Sequence, residues 1–150
     1  MREILFRGKT NKGEWHCGSL HSEYGWRVIE GERQLDHIIY DVEGFGAYVD
    51  PDTVGQYTGL TDKNGKKVFE GDIVKCTDTT YDYSFTAVVI FGNPNGEYNW
   101  GFQLKRISGA SANTDILLWF DMDDVGACAE VVGNIHDNKD LLEVKQCPEQ

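Results

Sequence analysis

The sequence has 150 residues, with 25 acidic and 14 basic side chains and a formal net charge of −11. Its hydrophobic fraction of 40% is typical of a globular protein, and no segment approaches the roughly 20 apolar residues of a membrane-spanning helix. We therefore predict one domain with its own core, with two small lobes as the alternative. The negative charge disfavours general binding to phosphate backbones, which depends on lysine and arginine.

The start of the chain and its cysteines predict a cytoplasmic protein. Residues 1–7 carry charges on both sides of a short apolar run, so they lack the apolar region of about 7 to 15 residues found in secretory signals. The four cysteines are widely spaced and form no C-x-x-C pair: Cys17, Cys76, Cys128 and Cys147. We expect reduced thiols, and neither a redox motif nor a zinc ribbon. The dispersed acidic residues favour a solubilising surface over a dedicated acidic face.

The first 48 residues indicate short antiparallel strands joined by turns. Residues 4–8 and 10–18 predict a hairpin that turns at Gly13, because glycine tolerates the backbone of a tight turn. Residues 30–32 predict a second turn, preceded by four apolar residues that partly alternate: Tyr24, Trp26, Val28 and Ile29. Residues 34–42 fit a strand or a short helix, and their Ile-Ile-Tyr run favours the strand.

Residues 49–75, VDPDTVGQYTGLTDKNGKKVFEGDIVK, contain three turn signals in close succession, at residues 50–52, 62–65 and 70–72. Residues 53–57 between the first two fit either one helical turn or a short extended segment. Short apolar strands separated by polar turns are how small barrels are built, so we predict a barrel corner at residues 70–72.

The second half of the chain continues the strand pattern. Residues 85–91 form the strongest predicted strand, and residues 100–107 predict its antiparallel partner. Residues 78–84 and 108–114 read as loops, and residues 116–120 as a short buried run. Near the end, Asp137 is predicted to cap one or two helical turns that pack Leu141 and Leu142 against the body.

Three stretches of the sequence carry a family resemblance: FRGK followed by a Gly-x-Trp, DPDTVGQYTGLTDKNGKKVFEGDIV, and VVGNIHDNKDLL. Together they resemble the YopX family of phage and prophage proteins, from about Arg2 to Glu143. The resemblance implies a phage- or prophage-encoded cytoplasmic protein of unknown biochemical activity that tends to self-associate. It also implies a mainly β fold, a small SH3-like antiparallel barrel, to which the sequence pattern adds further strands and a short C-terminal helical turn.

The resemblance brings no catalytic residues, and its signature positions are interpreted as structural. These are Thr53, Gly55, Gln56, Tyr57, Thr58, Gly59, Asp62, Gly65, Glu70, Gly71, Asp72, Gly133 and Asn134, with Ile135 beside them. The predicted organisation is an N-terminal β segment (1–48) packed on the core, a small barrel core (49–145) and a frayed tail (146–150). Residues 20–46 and 78–120 match the family poorly.

Several polar clusters are candidate metal sites, each with a simpler structural explanation. Five carboxylates of the central block could hold Mg²⁺, although each also suits its own turn: Asp50, Asp52, Asp62, Glu70 and Asp72. Residues 121–126 resemble the start of a calcium-binding loop, but the sequence lacks the oxygen ligands that such a loop has at its fifth and twelfth positions. His16, Cys17 and His21 could be soft-metal ligands, but no second ligand pair follows them. We predict no metal and no cofactor.

The basic residues offer one candidate nucleic-acid surface, formed by Lys63, Lys66, Lys67 and Lys75 with Tyr57 and Phe69 nearby. The favoured hypothesis is a non-enzymatic accessory protein that forms a homo-oligomer and binds a host or phage protein. The alternatives are a nucleic-acid-related role, by single-strand binding or by mimicry of DNA, and a metal-dependent hydrolase. No phosphate-binding loop and no serine-hydrolase elbow occurs in the sequence.

Overall fold

The computed structural model describes residues 3–93, 100–111, 114–120 and 126–143. Strands hold 63% of these residues and helices 7%, which confirms the predicted mainly β class. The strands are β1 (Phe6–Lys9), β2 (Trp15–Ile29), β3 (Glu32–Tyr40), β4 (Gly46–Thr61), β5 (Lys67–Phe69), β6 (Asp72–Asp78), β7 (Tyr83–Gly92), β8 (Gly101–Gly109) and β9 (Ala127–Asn134). A short helix, α1 (Ile116–Phe120), lies between β8 and β9, and a 3-10 helix (Lys139–Leu142) follows β9.

The chain divides into two compact units, Met1–Tyr57 and Thr58–Gln150. Strand β4 runs through the division, so its first part belongs to one unit and its last residues to the other. The boundaries predicted after residues 48 and 145 describe a different division and stay predictions.

The first unit contains a closed ring of four strands. β1 pairs antiparallel with both β2 and β4, and β3 pairs with the other edges of β2 and β4. A closed four-strand barrel with additional strands confirms the predicted fold class. The barrel core was predicted at residues 49–145, whereas the strands of this ring lie within residues 6–61. Ile38, Ile39 and Val49 are buried in this unit. Gly8 packs against the last of these, since a Cβ at Gly8 would lie 2.8 Å from the Val49 side chain.

The turn predicted at residues 50–52 is instead a bulge inside β4. The β1–β4 register jumps from Lys9 opposite Asp50 to Arg7 opposite Gly55, so several β4 residues bulge out of the ladder. Pro51 lies in this bulge, where its missing N–H breaks no ladder hydrogen bond. The Thr53 hydroxyl accepts the Lys9 N–H at 2.8 Å and restores the connection. Residues 53–57 are therefore extended, the second of the two alternatives.

The second unit contains an antiparallel sheet in the order β8-β7-β6-β9, and β5 pairs with β4. The partnership of β8 with β7 confirms the prediction for residues 100–107. The core of this unit is one cluster of buried residues, Val68, Val74, Cys76, Phe85, Ala87, Val89, Leu104, Ile116, Trp119 and Ala129. Trp119 packs edge-on against Phe85 with ring centroids 5.1 Å apart.

The two helices of the described residues are short, and none is long and apolar enough to cross a membrane. The buried run predicted at residues 116–120 is the short helix α1, and its buried residues Ile116 and Trp119, three positions apart, lie on the same face of the helix. The predicted Asp137 cap is wrong: Asn138 precedes the 3-10 helix and makes no side-chain capping bond. Its Oδ1 instead accepts the Asn134 N–H at 3.1 Å. Leu142 is also exposed rather than packed.

Candidate interaction surface

Asp62 joins the turn after β4 to strand β9. Its Oδ1 accepts the N–H groups of Asn64 and Lys66, both at 2.9 Å, and its Oδ2 accepts the N–H of Val131 at 2.9 Å. Burial opposes ionisation of this carboxyl, but the three N–H donors and the charge of Lys66 outweigh it and hold the Asp62 pKa below its ordinary value. Both carboxylate oxygens of Asp62 therefore accept hydrogen bonds from backbone N–H groups.

Gly71 and Asp72 lie at the turn between β5 and β6, where a barrel corner was predicted. The turn belongs to the second unit and is not part of the closed ring of β1 to β4. Gly71 has φ +91°, donates its N–H to the Val89 carbonyl at 2.8 Å and accepts the Ile135 N–H at 2.9 Å. Asp72 is 1% exposed, and its Oδ2 accepts the Phe69 N–H at 2.7 Å. The corner therefore connects β5, β7 and the end of β9 by backbone and carboxylate hydrogen bonds.

Three further signature positions, Thr58, Gly133 and Asn134, have similar local contacts. The Thr58 hydroxyl donates to the Val68 carbonyl at 2.8 Å. Asn134 Oδ1 accepts the N–H groups of His136 and Asp137, and so shapes the turn after β9. A Cβ at Gly133 would overlap the Asn138 side chain. These contacts agree with a structural role, and the absence of a chemical role at the signature stays a prediction.

The candidate metal ligands are placed apart or engaged locally. No three His, Cys, Asp or Glu side chains of the described ranges group closely enough to hold a metal ion. Asp50 accepts the N–H of Asp52, as expected for an acid that shapes its own backbone. His16 Nε2 lies 3.3 Å from the Phe45 carbonyl oxygen, and His21 Nε2 lies 3.5 Å from Glu23. Residues 121–125 of the calcium-like loop lie outside the described residues.

Cys76 and Cys128 lie in neighbouring strands of the second unit and form no disulfide. Burial, and secondarily the nearby Cys128, raises the pKa of the Cys76 thiol to about 12. The thiol is therefore protonated at neutral pH, which is the unreactive form. Cys147 lies outside the described residues.

The lysine surface is partly neutralised by one acid. Lys63 Nζ lies 3.5 Å from Glu130, and Lys75 is the cross-strand partner of the same Glu130. Lys66 and Lys67 are exposed on the turn and the following strand. Tyr57 and Phe69 are each 6% exposed, so neither offers a ring face to a nucleic-acid base.

Several exposed apolar side chains of the first unit lie on a two-stranded extension, the arm (residues 22–36). β2 pairs with β1 only over Trp15–Gly18, and β3 pairs with β4 only over His37–Tyr40. Beyond those residues, among the strands that the structure describes, β2 and β3 pair only with each other. The arm is therefore a ribbon that leaves the closed ring.

Apolar side chains of the arm face solvent. The exposed fractions are 89% for Trp26, 68% for Tyr24, 58% for Val28, 52% for Ile29 and 43% for Leu35. Val28 and Ile29 are consecutive in β2, so they lie on opposite faces of the ribbon. Exposed apolar side chains that form a contiguous patch are typical of binding surfaces.

Polar contacts fix the shape of the arm. The β2–β3 register shifts between Tyr24 and Val28, which produces a bulge. Arg27 at this bulge donates to Asp36 at 3.0 Å, and the Arg33 guanidinium lies 5.0 Å from the centre of the Trp26 ring. At the tip the chain reverses through Glu30 and Gly31 with φ of +53° and +82°.

A groove of about 1170 Å³ lies at the root of the arm, within the first unit. The turn between β1 and β2 forms one side with Lys9 and Lys12, the arm forms another with Leu35, and β4 contributes Tyr48 and Pro51. The lining carries both signs of charge, because Glu14, Asp36 and Asp50 line it together with Lys9, Lys12 and Arg27. It also includes the side chain of Tyr48, which is 66% exposed.

Comparison with known proteins identifies the family. The family model described as YopX protein matches residues 6–143. The chain belongs to the YopX family. This confirms the resemblance carried by the three sequence stretches. No curated protein matches the chain.

Among solved structures, this YopX-family chain is similar to the crystal structure of protein EF1440 from Enterococcus faecalis. The two share 20% sequence identity, the similarity covers 95% of this chain and 100% of that one, and the TM-score is 0.38.

The sequence of this YopX-family chain pointed to the signature positions and did not single out the arm. The alternation of Tyr24, Trp26 and Val28 was visible, and so was the turn at residues 30–32. A usable signal was the group of apolar residues on both sides of the predicted turn, namely Tyr24, Trp26, Val28, Ile29 and Leu35. Whether a third strand would cover them depends on the register of distant strands, which the alternation does not contain.

Proposed function

We propose that this YopX-family chain is a phage- or prophage-encoded accessory protein of the host cytoplasm, which acts without catalysis by binding proteins as an oligomer. The observation that supports this proposal is the arm, with Trp26 and Tyr24 among the most exposed side chains of the first unit. Tryptophan and tyrosine are the residues that most often supply binding energy at protein interfaces.

The chemistry of the polar groups agrees with a role in binding. Asp62 and Asp72 use their carboxylate oxygens to accept backbone N–H groups, and the Cys76 thiol is buried and protonated. A reactive group needs access to a substrate and a pKa suited to its task. No contact described above favours the nucleic-acid or the hydrolase alternative, so neither is proposed.

Sedimentation velocity of the purified chain at micromolar concentration tests the oligomer. We expect a species larger than one copy whose proportion rises with concentration, because association follows mass action. A single monomeric species at all concentrations would contradict the oligomer part of the proposal.

The partner is tested by cross-linked capture from host cells in which the protein is produced. We expect one host or phage protein to be recovered at a fixed ratio to this chain, and purification of the two together should reproduce the complex. Recovery of nucleic acid in place of protein, lost at high salt, would instead favour the nucleic-acid alternative.

A further inference from the structure

We infer that Asn64 is a modification site of this chain, where the asparagine deamidates by reaction with the backbone of Gly65, and that the contacts of Asp62 restrain this reaction. The site lies in the turn between β4 and β5. The inference is independent of the arm and of the oligomer in the proposed function.

The sequence Asn64-Gly65 supplies both reacting groups. The backbone nitrogen of Gly65 loses its proton to base and attacks the side-chain carbonyl carbon of Asn64, and the side-chain nitrogen leaves as ammonia. The product is a cyclic succinimide, which water opens at either carbonyl to give aspartate or isoaspartate. Glycine favours the attack because it has no Cβ to hinder the approach and adopts a wide range of backbone conformations.

Solvent reaches the turn. Asn64 and Gly65 are both exposed, and a Cβ at Gly65 would have no atom of the described residues within 4 Å. Base and water, the two reagents that the reaction takes from solution, therefore have access to the site. Access does not limit the reaction, so its rate depends on the geometry of the turn.

Hydrogen bonds of the closed turn oppose the attack. The Gly65 N–H donates to the Asp62 carbonyl oxygen at 2.9 Å. The Asn64 side-chain amide donates to Oε1 of Glu130, on β9, at 3.3 Å. Before it reacts, the Gly65 nitrogen must give up its hydrogen bond and the Asn64 side chain must leave Glu130. The reactive geometry is therefore reached when the turn opens locally.

The Asp62 carboxylate keeps the turn closed. It accepts three backbone N–H groups, those of Asn64, Lys66 and Val131, at 2.9 Å each. Opening of the turn breaks these bonds, so the loss of Asp62 should make the open state more frequent. Asp62 thus acts on the reaction through the conformation of the turn.

The modification should in return loosen the turn. Aspartate at position 64 replaces the amide donor that faces Glu130 by a second carboxylate, and like charges repel. Isoaspartate also inserts a carbon atom into the main chain next to Gly65. Asp62 then loses the geometry in which it accepts the N–H groups of Asn64 and Lys66. The connection between this turn and β9 would be weakened.

The first test follows aspartate and isoaspartate at Asn64 by peptide mapping after incubation at mildly alkaline pH, in native buffer and in urea. Mapping distinguishes this site from the second Asn-Gly pair, at residues 95–96. We expect Asn64 to react at least about tenfold faster in urea, because the turn is open there. Absence of reaction in urea would overturn the site, and equal rates would overturn its restraint by the turn.

The second test compares Asp62→Ala with Asp52→Ala, whose carboxylate is exposed. In native buffer Asp62→Ala should deamidate at Asn64 on the order of tenfold faster than the wild type, and Asp52→Ala should not differ from it. In urea all three chains should react at the same rate, because Asp62 acts only in the folded turn. Equal native rates for folded Asp62→Ala and the wild type would overturn the role of Asp62.

A third variant, Glu130→Ala, decides the outcome if circular dichroism shows Asp62→Ala to be unfolded. Glu130 is partly exposed, with 42% of its side chain accessible, and its removal frees the Asn64 amide while the Asp62 contacts remain. We expect deamidation at Asn64 to be about twofold faster in native buffer and unchanged in urea. An unchanged native rate would then overturn the restraint of Asn64 by the turn.

Discussion

The packed core of the second unit and the arm of the first unit use the same kinds of residue with opposite results. Trp119 is 3% exposed among Phe85 and its neighbours, whereas Trp26 is 89% exposed on the ribbon. Both lie among short apolar segments bounded by turns. The core segment has strands and a helix packed over it, whereas residues 24–35 of the ribbon pair only with each other among the described strands of the first unit.

This difference shows that an apolar strand pattern does not determine burial. Alternation places side chains on two faces of a sheet, but a face is covered only if another layer reaches it. In the second unit the Asp62 and Asp72 hydrogen bonds draw β5, β6 and β9 together around the core. The side-chain hydrogen bonds described for the arm, such as Arg27 to Asp36, join its own two strands.

The largest difference in the free energy of unfolding is expected between variants of the two tryptophans, Trp119 and Trp26. Trp119→Ala should lower the free energy of unfolding by about 4 kcal/mol, because it removes a buried ring and leaves a cavity beside Phe85. Trp26→Ala should change the same quantity by less than about 0.5 kcal/mol under conditions where the chain is monomeric. Urea denaturation measures both, and a similar loss in the two variants would show that the arm is packed in the folded monomer.

A smaller loss is expected when the Asp62 connection is removed. Asp62→Ala leaves three N–H groups without their acceptor, those of Asn64, Lys66 and Val131, and should cost about 3 kcal/mol. Asp52→Ala, which changes an exposed carboxylate, is the control and should cost less than about 0.5 kcal/mol. Equal effects in urea denaturation would contradict the structural role of Asp62.

The same carboxylate predicts a dependence on pH. The Asp62 pKa is lower in the folded chain than its ordinary value of 3.8, so its stabilisation is present above that value and is lost as the pH falls through the folded pKa. The stability difference between the wild type and Asp62→Asn should therefore be constant near neutral pH and shrink in strong acid. A difference that grows on acidification would contradict the sign of the shift.

The smallest effect is predicted within the arm. Arg27→Ala removes an ion pair whose Arg27 side chain is 63% exposed, so the free energy of unfolding should change by less than about 1 kcal/mol. Amide hydrogen exchange in β2 near the bulge should nevertheless become faster, because local opening of the ribbon becomes easier. An unchanged rate of amide hydrogen exchange in β2 near the bulge would mean that backbone pairing stabilises the arm without a contribution from the Arg27 ion pair.

Much of the fold was predictable because its signals are local. The turns at Gly13, residues 30–32 and residues 62–65 follow from residues that accept unusual backbone conformations, and Glu30 and Gly31 do adopt positive φ. The prediction that Asp137 caps the helix was wrong, because the next residue, Asn138, precedes the 3-10 helix and its side chain accepts the Asn134 N–H. Capping propensities do not tell which of two neighbouring polar residues takes the cap position. The prediction of a turn at residues 50–52 was wrong, because Asp50 and Gly55 both pair with β1 and the chain between them, including Pro51, stays extended.

The candidate surface was less predictable than the fold. Sequence reasoning placed the signature positions at turns, where the structure gives them backbone contacts, but the partners of Asp62 include Val131, which is 69 residues away. It grouped Tyr57 and Phe69 with the lysines as a stacking surface, and both are buried. Exposure depends on which distant strands cover a residue, and single-sequence patterns contain little of that information.

The sequence by itself determined the mainly β class, the positions of most turns and the YopX family, because each depends on residues close together in the chain. Only the tertiary structure decided that β1 to β4 close into a ring, that Asp62 and Gly71 connect to β9 and its end, and that the arm leaves the ring uncovered. The physical reason is that strand closure and burial depend on pairings between distant segments, whose register is set by the packing of the whole unit.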